Sequence, residues 1–269
     1  MITSASNQQI KNLIQLQKKS KVRKEQGVFL VEGLKMFQEA PSDWLVKTYV
    51  SARFMEKEEH RRALAAVEPV VVSDEIFERI SDTCTPQGIL SVVKRPSYSL
   101  NDLLQKDFRN GFSGGNTLLL LLENIQDPGN LGTMLRTGEG AGVTGVIMSR
   151  ETVDIYNPKT IRSTMGSIYR IPFLYAEDFG AVLSELKNRG VDIFAAHLRG
   201  TGFYDEKDYT GNTAFLIGNE GNGLSDRIAG MASDYIKIPM CGKVESLNAA
   251  VAASILLYEA SRQRRRSEN

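Results

Sequence analysis

From Thr117 onward, short apolar runs alternate with stretches of helical spacing, and this alternation narrows the fold more than any other feature of the chain. The runs are Thr117–Leu122, Gly145–Met148, Val191–Ala195, Thr213–Ile217 and Tyr235–Ile238. Helical spacing covers Leu131–Ala141, Pro158–Gly166, Phe179–Arg189, Leu224–Ala229 and Leu247–Arg262. Strands that are largely apolar, rather than apolar at every second position, are covered on both faces. When helices separate them, they pair in parallel through right-handed crossovers. Residues 117–269 are therefore predicted to form an α/β domain on a parallel sheet.

Residues 1–95 read as a smaller α/β unit. Helical spacing runs over Asn7–Lys18, Gly33–Ala40 and Asp74–Ile80, with a charged helical stretch over Glu56–Val67. Strands are expected at Val28–Val31, Val46–Val50, Val70–Val72 and Ile89–Val93. The Pro-, Ser- and Gly-rich stretch 96–116, with a helical patch near Leu103 and Leu104, reads as the connection between the two.

Charge gives a weaker constraint. The net charge is +1, so no overall field demands a polyanionic partner. Residues 1–24, however, hold Lys11, Lys18, Lys19, Lys21, Arg23 and Lys24 and no acid, and the tail carries Arg262, Arg264, Arg265 and Arg266. Such patches suit a phosphate backbone or are simply solvated faces. Two cysteines, Cys84 and Cys241, are too few for a disulfide scaffold, and Cys241 is expected to be a small buried filler. No apolar run nears the roughly 18 residues of a membrane span. With a polar N-terminus, an intracellular, cytoplasmic protein without membrane association is expected.

Three segments combine glycine turns with polar residues that a core has little use for. They are Asn124-Ile-Gln-Asp-Pro-Gly-Asn130-Leu-Gly132-Thr-Met-Leu-Arg136, then Gly218-Asn219-Glu220-Gly-Asn-Gly223-Leu, then Ile238-Pro239-Met240-Cys-Gly-Lys-Val-Glu-Ser246-Leu247-Asn248. Each follows an expected strand, and the first and third lead into helices. Turns of this kind meet at the carboxyl edge of a parallel sheet, where open α/β folds place ligands.

Rival chemistries fit poorly. Gly140-Ala-Gly142-Val-Thr-Gly145 matches G-x-G-x-x-G, but a helix precedes it and a strand follows, the reverse of the dinucleotide fingerprint; a helix C-cap explains it. There is no P-loop. His60 and His197 lack a nucleophile pattern, and no metal-ligand spacing occurs, so no metal is expected.

Together the three segments resemble the motifs of the SpoU, or TrmH, family of S-adenosylmethionine-dependent RNA ribose 2'-O-methyltransferases. Tyr156-Asn-Pro158-Lys159-x-x-Arg162-Ser163 is similar as well. Gly27-Val-Phe29-Leu-Val-Glu32-Gly33-x-Lys35 and Pro86-Gln87-Gly88-Ile89 resemble the N-terminal substrate-binding domain of many members, related in fold to a ribosomal protein that binds kinked RNA. The resemblance implies a deep trefoil knot in the C-terminal domain and a homodimer. It also implies an RNA substrate, ribosomal rather than transfer RNA given the two-domain layout, with a transfer-RNA enzyme or a non-catalytic RNA-binding protein as alternatives.

Carried over residue by residue, Gly218, Asn219, Ile238, Met240 and Leu247 would hold S-adenosylmethionine. Arg136, Asn130, Glu220, Ser246 and Asn248 would form the catalytic set. Arg136 is either the base or the group that grips phosphate and stabilises a 2'-alkoxide; a guanidinium with a pKa above about 12 is a poor base, which favours the second. Glu220 either pairs with Arg136 or accepts from the substrate hydroxyl. Ser246 and Asn248 either bond substrate or cap the last helix. Asn124, Lys159, Arg162, Ser163, Lys18, Lys19, Lys21 and Arg23 are expected to touch RNA.

Overall fold

A computed structural model describes residues 1–104, 115–198, 200 and 202–267. The chain begins with α1 (Gln8–Lys18), α2 (Ser20–Gln26), β1 (Val28–Glu32), α3 (Leu34–Glu39) and β2 (Leu45–Ser51). It continues with α4 (Glu58–Ala63), β3 (Val70–Val72), α5 (Asp74–Ile80), β4 (Ile89–Lys94) and α6 (Leu100–Leu104). After 114 come β5 (Leu118–Leu122), α7 (Pro128–Ala141), β6 (Gly145–Ser149), α8 (Pro158–Thr164), β7 (Phe173–Ala176) and α9 (Phe179–Asn188). The last elements are β8 (Asp192–Ala196), β9 (Gly202–Phe203), β10 (Thr213–Ile217), α10 (Asp226–Ala229), β11 (Asp234–Lys237) and α11 (Ala249–Ser267). Two compact units result: Met1–Pro96 with Asp154–Tyr169, and Ser97–Val153 with Arg170–Asn269.

The first unit is built on a four-stranded sheet in the order β1-β4-β2-β3. Strand β4 is antiparallel to β1 and β2, while β2 and β3 are parallel. Successive strand residues serve opposite faces: Tyr49 and Leu90 pack with Ile10, Leu13 and Phe77, whereas Val50 and Ile89 pack with Phe37 and Phe54. Helix α2 escapes the sequence reading because Ser20–Gln26 has Val22 as its one apolar residue and the residue it buries is Arg23.

Segment Asp154–Tyr169 folds into this unit although its neighbours in sequence do not. Asp154 accepts from the Arg23 guanidinium at 2.6 Å, and Arg23 also donates to the Leu16 and Gln17 carbonyls. Tyr156 stacks near Phe29 and lies under the Arg95 guanidinium; the Tyr169 hydroxyl donates to Met36 O. Arg23 is 4% exposed, so it is no RNA contact. That expectation fails because the cation is consumed inside the fold. Two of the C-terminal arginines are likewise occupied. Arg264 donates to the carbonyls of Tyr209, Gly211, Asn116 and Thr117, and Arg262 pairs with Glu259.

The second unit carries a seven-stranded sheet, β7-β6-β5-β10-β8-β11-β9, in which every pairing is parallel. Strand β5 is five consecutive leucines, all fully buried, as a sheet covered on both faces requires. Strand β7 is short and follows Pro172, and no sequence signal marked it. Residues Ser97–Leu104, at the start of the expected connection, belong to this unit, and Leu103 to its core: it is fully buried, and a Cβ on Gly145 would stand 2.4 Å from it. The rest of that connection, 105–114, lies outside the described residues. Among those described, no helix is long and apolar enough to cross a membrane.

Arg23→Met should lower unfolding free energy by about 3 kcal/mol, because removing one partner leaves the Asp154 carboxylate in a mostly buried site without its cation. Burial pushes the Asp154 carboxyl up, yet hydrogen bonds from Arg23, Ser20 and the Tyr156 N–H and the Arg23 charge outweigh it and hold it below its ordinary 3.8. A depressed folded value stabilises above the unfolded one and is lost as pH falls through it. The stability gap between wild type and variant, measured by urea denaturation, should therefore narrow as pH falls below 3.8.

Candidate active site

The strand order places the site. The chain builds β6 and β7 on one side of β5, then crosses to the other side, where β10 lies between β5 and β8. At such a reversal the loops leaving the carboxyl ends part and leave a crevice. Here the first segment leaves β5, the second leaves β10 and the third leaves β11.

A cavity of about 680 Å³ opens beyond the carboxyl ends of β8, β10 and β11. Expected cofactor residues Gly218, Asn219, Ile238, Met240 and Leu247 all line it, with Glu220 and Ser246 beside them. His197 and Leu198, just past β8, line it too. The sequence reading missed both, since His197 has no motif around it. Apolar walls come from Ile217, Ile236, Leu224 and Ala252, and the size falls within the range of small-molecule sites.

Glycine is demanded at 218: an added Cβ would stand 2.2 Å from the Gly223 carbonyl carbon and 2.3 Å from Leu224 N. The loop beyond it closes on itself. Asn219 N donates to Gly223 O and Gly223 N to Asn219 O, while the Asn219 side-chain oxygen accepts from the N–H groups of Gly221 and Asn222. Gly223, with φ +67°, completes the turn.

Hydrogen bonds tie the three segments together. Asn219 Nδ2 donates to Asn124 O at 2.8 Å. The Glu220 carboxylate accepts from Gln126 N (3.0 Å), Asp127 N (3.1 Å) and Asn130 Nδ2 (2.9 Å). Asn130 Oδ1 in turn accepts from Asn248 Nδ2 at 3.0 Å. Asn248 also caps α11, its Oδ1 accepting from Ala250 N and Val251 N; capping and site contact are thus not alternatives. Burial pushes the Glu220 carboxyl up, but the Asn130 side chain and the Gln126 and Asp127 N–H groups outweigh it and hold it below its ordinary value of 4.5. With both oxygens engaged by the first segment, Glu220 is a brace. It does not pair with Arg136.

Arg136 lies on α7, two turns in from its start. It is exposed and has no hydrogen bond or ion pair among the described residues. Arg136 does not line the cavity; its exposed, unpaired guanidinium is available to an anion. The Asn124 backbone takes a left-handed φ of 57°, and its side-chain oxygen accepts from Ser149 Oγ at 2.7 Å, so that oxygen shapes the turn. Cys241 is exposed rather than a buried filler, as is Cys84.

The remaining expected RNA residues belong to the first unit. Lys18, Lys19 and Lys21 are exposed, and Lys21 faces Glu25 at 3.8 Å. On α8, Arg162 pairs with Asp82, the Ser163 hydroxyl donates to Lys159 O, and Lys159 N donates to the capping Asn157. No group of metal-ligating side chains occurs among the described residues.

This arrangement has a known counterpart. The SpoU rRNA Methylase family matches residues 117–258, and an MRM3-like substrate binding domain matches residues 7–91. The chain belongs to the SpoU rRNA Methylase family. It is 33% identical to the 23S rRNA (guanosine(2553)-2'-O)-methyltransferase RlmP of Bacillus subtilis, over 96% of this chain and 97% of that protein. The SpoU methyltransferase AviRb from Streptomyces viridochromogenes, solved with AdoMet, superposes with a TM-score of 0.84 at 26% identity, covering 96% and 98% of the two chains. A TrmH/SpoU tRNA modifying enzyme of A. aeolicus matches 63% of this chain and 82% of its own, at 30% identity and a TM-score of 0.52.

Gly218→Ala should cost about 1–3 kcal/mol of stability through overpacking and displace the cavity loop, which thermal denaturation and ligand titration would detect together. Because the folded value of Glu220 is depressed, its bracing is complete at neutral pH and fades as pH falls through that value. The melting temperature of wild type should fall faster below about pH 4.5 than that of Glu220→Gln, which lacks the titrating group.

Proposed function

We propose that this protein transfers a methyl group from S-adenosylmethionine to a ribose 2'-hydroxyl of ribosomal RNA. The observation that carries the reading is the convergence of the second and third segments on one cavity, with the first hydrogen-bonded to both. The cavity suits the donor: its walls are apolar where a base and a methionine chain need cover, and Gly218 leaves the backbone bare for close approach. Bound there, S-adenosylmethionine supplies an electrophilic methyl group on a sulfonium.

The protein's own part is positioning and charge. Ile238, Met240 and Leu247 would hold the donor's apolar parts while backbone groups around Gly218 and Asn219 take its polar edges. Asn130, held by Glu220, and Asn248, held by Asn130, would orient the ribose, with Ser246 at the cavity rim. Arg136 would bind the phosphate next to the reacting ribose and stabilise the alkoxide charge that develops on the 2'-oxygen. Holding both reactants in line is worth about 7–11 kcal/mol in favourable cases.

Ribosomal RNA is favoured over transfer RNA by extent. RlmP aligns over nearly the whole chain, including the N-terminal unit, whereas the tRNA modifying enzyme aligns over 63% of it. The exposed lysines of α1 and α2, with Lys159 on α8, would offer an RNA backbone a basic surface on the first unit. Family membership also supports a knotted C-terminal domain. A homodimer and a cytoplasmic location follow from the same reading, and Val251 and Tyr258 on α11, about half exposed, offer apolar contact to a second copy.

Arg136→Ala should reduce methyl transfer by about 100-fold or more while donor affinity stays close to wild type, measured with tritiated donor and by calorimetry. Wild-type turnover in the variant would overturn the role given to Arg136. Mapping of 2'-O-methyl nucleotides by mass spectrometry, in RNA from cells lacking the protein, tests the substrate class: loss of a ribosomal site supports it and loss confined to transfer RNA refutes it.

A further inference from the structure

We propose that Glu123 is a positioning residue for the donor cavity, acting through Ser225. The inference rests on the methyltransferase reading and deepens it.

Glu123 ends the leucine run of β5 and is only 6% exposed. A carboxyl group at that depth persists only with partners. Both come from one residue 102 positions later: Ser225 N donates to one carboxyl oxygen at 2.8 Å, and Ser225 Oγ donates to the other at 2.6 Å. The main chain of Glu123 is fixed as well, its N–H donating to Ile217 O at 2.9 Å. Ser225 lines the cavity and caps α10, its hydroxyl oxygen accepting from Ile228 N.

The cavity loop 219–225 is therefore clamped by two acids pointing in opposite directions. At its entry Glu220 reaches from the loop to the first segment. At its exit Glu123 reaches from the strand before that segment to the loop. Between them the loop is closed by the Asn219–Gly223 pair and pressed against Gly218, so its shape depends on where its ends are held. Releasing the exit would let Leu224 and Ser225 leave the cavity wall, while the entry clamp still holds the catalytic turn. The expected signature is a defect in donor binding without one in the methyl-transfer step.

The test compares S-adenosylmethionine binding by calorimetry with steady-state kinetics on the full chain. Wild type must bind the donor; if it does not, the methyltransferase reading itself fails, separately from this inference. Glu123→Met keeps the side chain's length but removes its acceptor. It should weaken donor Kd, and raise KM for the donor, about tenfold. Its kcat at saturating donor and its KM for RNA should stay within about twofold. Glu123→Gln retains an acceptor for the Ser225 N–H and a donor for its hydroxyl, and should recover most of the affinity. If Glu123→Met does not fold, Ser225→Ala decides: it should weaken the donor in the same sense, with Ser225→Thr restoring it. Unchanged donor Kd in a folded Glu123→Met or Ser225→Ala, or a loss of kcat with donor Kd intact, would overturn the proposal.

Discussion

The Glu220 carboxylate is the joint on which the site depends. It leaves one loop, accepts two backbone N–H groups and a side-chain amide from another, and through Asn130 reaches the residue that starts the last helix. Three turns scattered over more than a hundred residues acquire a common frame this way. The carboxylate does so because an ionised acceptor with several donors is held more tightly than any neutral group in its place. Catalysis by positioning needs such rigidity. Arg136 is left out of this network.

The parallel sheet makes the joint possible. All seven strands run the same way, so every exit loop emerges on one edge, and inserting β10 between β5 and β8 brings the first and second segments side by side. Neither propensity nor composition selects that insertion. It follows from the path of the chain, and the polar residues at the strand ends have partners only because of it.

Much of this was legible beforehand. Thr213–Ile217 was read to the residue, and β5, β6, β8 and β11 within a residue or so, because apolar runs between turn signals mark buried strands. The cavity lining was legible for the same reason: glycine turns at strand ends stand out. Long-range polar pairing was not. Nothing local announces that Arg23 will meet Asp154, 131 residues away, that Glu123 will meet Ser225, or that Asn124 will spend its side chain on Ser149. A lone acid after five leucines looks like the end of a strand; its partner defines its role. Helix α2 was hidden by charge, and β7 by brevity.

The segment Asp154–Tyr169 has a consequence for how this protein can be divided. The polypeptide passes between the units three times, after Pro96, after Val153 and after Tyr169. Severing it at Pro96 would not release two intact modules. The amino-terminal fragment would lose the aspartate that neutralises its buried Arg23 and the aromatic rings that rest on Phe29. The carboxyl-terminal fragment would carry those groups with nothing to receive them. What reads along the sequence as one appendage followed by one enzyme is, in covalent terms, interleaved, and the two halves have to be inherited and altered together.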